Sequence, residues 1–165
     1  MEISDSGILT YRHGSCREET FAIEVFSNRD NRCLCILPLY GDLLTKITVL
    51  GFVESAELYQ YAFDGSTKIV YDSICSAGVI TPFPNSGFPI LNCRKNLYLA
   101  ITIKSGCGVR SIPKVSATYV YLPDTERKLL ATSVGIKVKN ASGKVYKVYG
   151  SEDLGFEPNF LGLSI

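Results

Sequence analysis

This sequence predicts an all-β fold: a single antiparallel eight-stranded jelly roll, a β-sandwich or barrel, with one short helical turn near residues 124–131. Three observations point to it. Apolar and polar residues alternate at period two along most of the chain. Turns rich in Gly, Asn and Pro punctuate that alternation, and no i, i+3, i+4 pattern persists over a full window. Without crossover helices a parallel βαβ sheet is excluded, and eight or so short strands close instead as a sandwich or barrel.

The elements follow in chain order. Phe21, Ile23 and Val25 alternate with an outward Glu24, and Cys33 and Cys35 share one face of the next strand. Further strands are predicted over 44–52, 57–63 and 67–71, the last two joined by the turn Phe63-Asp64-Gly65-Ser66. Residues 80–89 carry Pro82, Pro84 and Pro89, whose missing N–H groups keep them out of central ladders, so this segment reads as a long loop crossing between sheets. Leu97, Leu99, Ile101 and Ile103 then mark a buried face, with Tyr98, Ala100, Thr102 and Lys104 on the other side. Strands over 114–122, 134–139 and 144–149 complete the pattern, the last two flanking Asn140-Ala141-Ser142-Gly143. Asp124 or Thr125 is expected to cap the helical turn, which Lys128-Leu129-Leu130-Ala131 propagates. From Gly150 the alternation stops, although Phe156, Phe160, Leu161 and Leu163 persist. The reading is therefore a domain over 1–149 and a tail over 150–165, which docks on its own barrel or serves as an intermolecular arm.

Composition narrows the function. At 165 residues the chain suits one domain with enough core to need no staple. With 46% hydrophobic and 20% charged residues, and a mean hydropathy of +0.15, it matches neither a disordered chain nor a membrane protein. A formal charge of +1 offers no field for nucleic acid or an anionic membrane. The polar, acidic first residues carry no secretory signal pattern, and no apolar run reaches the roughly 20 residues of a membrane-spanning helix.

Candidate chemistry is sparse. Cys16, Cys33, Cys35, Cys75, Cys93 and Cys107 lack paired zinc-ligand spacing and read as free buried thiols. His13 is the lone imidazole and sits in a turn context, so nucleophilic catalysis would depend on it alone. Glu18-Glu19 and Glu152-Asp153 read as solvated pairs, and Gly106-Cys107-Gly108 is too short to cradle a phosphate. Asn140-Ala141-Ser142 fits the glycosylation sequon at about chance frequency. The expectation is no enzyme, no cofactor, no metal and no small-molecule substrate.

The stretch from Ala117-Thr118-Tyr119-Val120-Tyr121-Leu122-Pro123-Asp124-Thr125-Glu126-Arg127 to Ala131 resembles the strand and acidic turn of the major capsid proteins of large DNA viruses, typically Y-[IV]-[YF]-L-D-T-x-E-R-R. Pro123 departs from that pattern, standing where the family has its first Asp. Gly41-Asp42-Leu43-Leu44 is similar to the family's G-D-L strand, Ala56-Glu57-Leu58 through Ile69 to its E-[LI]-x-I-G-G hairpin, and Phe88-Pro89-Ile90-Leu91 to its L-P-L-I segment, all in family order over residues 41–131. The family subunit carries two successive jelly rolls and this chain has length for one.

The resemblance therefore implies a structural virion protein, of penton or minor capsid type, made and assembled in the host cytoplasm. Its implied partners are copies of itself, as a pentamer for example, and other capsid proteins. Asp124, Glu126 and Arg127 are the structural candidates, with Glu126 and Arg127 expected to make an ion pair or turn contact; Phe156, Phe160 and Leu161 are the interaction candidates in the tail. The alternative is a β-sandwich binding module for a glycan or protein, using exposed rings such as Tyr59 and Tyr61.

Overall fold

The computed structural model describes residues 1–148 except 13, 15, 28–30, 63, 92, 94 and 107–111. The elements are β1 (Glu2–Ile3), β2 (Leu9–Thr10), β3 (Arg17–Ile23), β4 (Phe26–Ser27), β5 (Arg32–Leu37), β6 (Leu43–Leu50) and β7 (Val53–Tyr61). There follow β8 (Lys68–Ile74), β9 (Gly78–Ile80), β10 (Phe88–Pro89), β11 (Leu97–Ile103), β12 (Lys114–Tyr121), α1 (Asp124–Thr132), β13 (Lys137–Lys139) and β14 (Val145–Lys147).

Two antiparallel sheets face each other. One runs β10-β6-β12-β3, with β9 also on β6; the other runs β4-β5-β11-β7-β8. Counting β9 and β10 as two pieces of one edge strand and leaving aside the two-residue β4, each sheet has four strands. They alternate between sheets in the order of a jelly roll, so the predicted fold class holds. The alternation of β11 is the clearest case: Leu97, Leu99, Ile101 and Ile103 are buried, whereas Tyr98, Ala100 and Thr102 are half-exposed. Cys33 and Cys35 point into the same core from β5.

Three expectations are corrected. Residues 80–89 do not cross between sheets: Ile80 pairs with Ile47 and Phe88 with Leu44, so both ends lie on β6. The crossing falls earlier, between β8 and β9, and the proline segment is a buried interruption of an edge strand, with Phe83 and Ser86 inside. Pro82 and Pro84 remove donors that a continuous ladder would need, which is why the strand breaks there.

The second correction concerns 134–139 and 144–149. These shorten to β13 and β14, a separate two-stranded sheet outside the sandwich. It joins the β1-β2 hairpin through the Lys137 N–H donating to Gly7 O at 2.9 Å, and closes one end of the core. Tyr146 from β14 packs there against Tyr71 and Phe83, with ring centroids 5.1 and 5.7 Å away.

The third is the helix cap. Pro123 occupies the N-cap and no side chain caps the first turn; Asp124 and Glu126 lie inside it, where carboxylates favour the positive helix end. Among the thiols, Cys33 and Cys35 are buried as expected, but Cys75 is exposed and Cys16 and Cys93 are intermediate. His13, Cys107, the pair Glu152-Asp153 and the tail residues Phe156, Phe160 and Leu161 lie outside the described residues.

Candidate functional site: a buried carboxylate corner and an outward tyrosine face

The corner begins at Gly41. Its φ of +62° is left-handed, and a Cβ there would meet Val120 O at 3.0 Å and the Tyr121 ring at 3.3 Å, so only glycine lets the chain approach β12 this closely. The next residue, Asp42, donates its N–H to Val120 O at 2.9 Å, and its own carbonyl accepts from Ile90 N at 3.0 Å. Its side chain is buried.

That carboxylate has its partners in place. Leu122 N donates to Oδ2 at 2.7 Å, and Arg127 Nε stands 3.2 Å from both Oδ1 and Oδ2. A buried carboxylate without such donors would carry a large desolvation penalty. Leu130, fully buried, anchors α1 against the core, and Arg127 lies three residues earlier on the same side of the helix, which aims the guanidinium at the sheet. Arg127 also reaches Leu122 O at 3.5 Å.

The other two sequence candidates sit apart from Asp42. Asp124 is almost fully exposed, with a loose 3.9 Å approach to Arg127. Glu126 accepts from the Met1 amino group at 2.5 Å. In the sequence Asp42 stands out only as part of the Gly41-Asp42-Leu43 strand motif. The signal that could have singled it out is an acidic residue directly after a glycine and directly before the run Leu43-Leu44.

Beside the corner Tyr119 faces inward in phase with Val115 and Ala117 along β12, and a bulge lies opposite it on β6. Between Thr118 and Tyr119 the β12-β6 register shifts, and Thr45, the extra residue, donates its hydroxyl to Thr118 O at 3.1 Å. Tyr119 is fully buried, donates to Pro38 O at 2.6 Å, and packs with Phe21 and with the half-exposed Tyr40. Burial drives its phenol pKa well above the usual value.

The outward face of the second sheet carries another set of rings. Cross-strand pairing sets Tyr98 opposite both Ile36 and Tyr59, and Tyr59 opposite Val70, so one row spans β5, β11, β7 and β8. Tyr59 is only 8% exposed because Tyr98 stacks at 5.3 Å and the Lys68 ammonium lies 4.4 Å from its ring centroid. Burial first, then Tyr61, pushes its phenol up to about 12. Tyr61 is 37% exposed and meets Tyr98 edge-on at 6.0 Å.

No cluster of three or more His, Cys, Asp or Glu with metal-binding geometry occurs among the described residues. No described helix is long and apolar enough to cross a membrane.

No protein-family model matches this sequence, and no curated protein does. Solved structures do match the fold. The capsid of PBCV-1 virus, as a quasi-atomic model, superposes with a TM-score of 0.53 at 14% identity, covering 79% of this chain and 48% of that one. PBCV-1 VP54, in its crystal structure fitted into a reconstruction of the virophage Sputnik, gives 0.51 at 14% identity, covering 76% and 47%. The chain thus spans about half the length of the structures it resembles, and what it shares with them is the jelly-roll fold of a large-DNA-virus capsid protein.

Proposed function

We propose that this chain is a structural protein of a large-DNA-virus particle, a single jelly-roll capsid component of penton-like or minor type. It acts through contacts with copies of itself and with other capsid proteins, and is assembled in the host cytoplasm. The observation that carries the reading is the sandwich's likeness to the PBCV-1 capsid structures over 79% of the chain, with Asp42 of one resemblance segment paired to Arg127 of another.

The physics agrees with a shell role. Long-range ladders make a stiff block whose loops and faces set the contacts. The tail over 150–165, with Phe156, Phe160 and Leu161, is our candidate intermolecular arm, and a ring such as a pentamer would require heterologous interfaces that close. Mass spectrometry of purified virions, with localisation in a particle map, tests the proposal. The chain is expected in stoichiometric amounts in the shell; its absence from particles would overturn the reading.

A further inference from the structure

We infer that the corner between Tyr61 and Tyr98 is a binding site for a single saccharide ring. The site is a shallow, open cavity of about 290 Å³ lined by Tyr61, Gly65, Lys95, Asn96 and Tyr98. That is the lower end of the ~300–1,000 Å³ typical of ligand pockets, room for one ring and no extended chain.

The chemistry of the lining selects the ligand class. Tyr61 and Tyr98 stand at 68° with centroids 6.0 Å apart, giving two aromatic walls that meet at an angle. A pyranose has an apolar C–H face that lies against such a ring and a rim of hydroxyls that both donate and accept. The Asn96 amide donates one N–H to the Tyr98 hydroxyl at 3.3 Å and keeps its second N–H and its carbonyl oxygen, which with the Lys95 ammonium and the Tyr61 hydroxyl supply donors and acceptors for that rim. An apolar ligand would need an enclosed, greasy cavity, and a phosphate ester more positive charge than the single Lys95 ammonium in this open lining. Tyr59 is not a platform, because Tyr98 covers one side of it and the Lys68 ammonium also lies over the ring.

All three walls are held before any ligand arrives. Tyr61 ends β7, paired to Lys68. The turn bearing Gly65 is fixed by Asp64, whose Oδ1 accepts from Ser66 N at 2.9 Å and Thr67 N at 3.0 Å, while Ala62 N donates to Thr67 O at 2.7 Å. The Lys95-Asn96 wall is tied to the core from behind: Gln60, fully buried, donates its amide to Lys95 O at 3.3 Å, and Cys93 Sγ reaches the same carbonyl at 3.2 Å. Tyr71 in turn donates to Gln60 Oε1 at 2.5 Å, locking the amide orientation. Walls fixed in this way lower the ordering cost that otherwise weakens binding at a shallow site.

The site does not rest on the capsid reading, and its test has separate readouts. Saturation-transfer difference NMR is run on the full chain with methyl glycosides of glucose, galactose, mannose, fucose, N-acetylglucosamine and N-acetylneuraminic acid. Transfer to the ring C–H protons of at least one is expected, reduced at least about tenfold by Tyr61→Ala and by Asn96→Ala at unchanged Tm. Both side chains are exposed, so neither change empties the core. Silence across the panel overturns the inference, as does transfer that survives both substitutions. A change of oligomer size with Tyr61→Ala in light scattering, without any saccharide signal, overturns it in favour of a contact between copies of the chain.

Discussion

Arg127 Nε lies 3.2 Å from both carboxylate oxygens of Asp42, across 85 positions of sequence, and this pair fastens the only described α-helix to the start of β6. The two ends are unequal: Asp42 is 3% exposed in its side chain and Arg127 is 43% exposed. Asp42→Ala strands the Leu122 N–H and the guanidinium together and is expected to cost about 3 kcal/mol. Arg127→Ala leaves Asp42 one backbone donor and opens a path for water, costing about 1 to 2 kcal/mol. Urea unfolding of both single variants and the double variant gives the coupling. Equal losses for the two single changes would contradict this ordering.

Alkaline pH is expected to unfold the protein through its buried phenols and thiols. Tyr11 and Tyr59 are raised to about 12, and Tyr71 and Tyr119 further, all chiefly by burial; Cys35 is raised to about 12 and Cys93 to about 11. Each group holds its proton in the folded state to higher pH than in the unfolded state. The stability they contribute is complete below the unfolded values, 9.0 for Cys and 10.0 for Tyr, and is lost as pH rises through the folded ones. Melting temperature should be flat near neutrality and fall between about pH 9 and pH 12, with a shallower fall for Tyr119→Phe.

Thiol labelling should separate the cysteines by position. Cys75 is exposed and is expected to react with a maleimide within the first sampling interval, whereas Cys33 and Cys35, buried and with raised pKa values, react only on unfolding. Peptide mapping by mass spectrometry assigns each site. Fast modification of Cys35 in the folded protein would contradict the packing of β5.

Truncation after Val148 tests the proposed arm. If residues 150–165 bridge copies, light scattering will show a smaller species than the full chain forms, at an unchanged Tm. An unchanged oligomer would remove the tail from the assembly interface.

The sandwich was legible where one face of a strand is buried and the other wet. Leu97 to Ile103 and the Cys33–Cys35 pair announce their pleat directly, because a one-residue slip would move every side chain to the wrong face. Residues 80–89 misled because prolines that interrupt an edge strand and prolines that fill a crossing loop look the same in sequence. Pairing to β6 distinguishes them, and that is a long-range fact. Asp42 was legible as part of a motif but not as the partner of Arg127, since nothing local records which buried carboxylate a distant guanidinium will meet. Tyr61 was legible as an exposed ring. Its neighbours Tyr98, Lys95 and Asn96 come from another strand and the loop before it, and only the register brings them together.

The broken edge strand has a consequence for growth. A sheet ending in β9 and β10, with Pro82 and Pro84 between them, presents no continuous row of donors on which a neighbour's strand could extend the ladder. At its opposite margin β3 begins Arg17-Glu18-Glu19, charges that resist the same annexation. That sheet is poorly suited at either margin to growth by strand addition into an endless fibre.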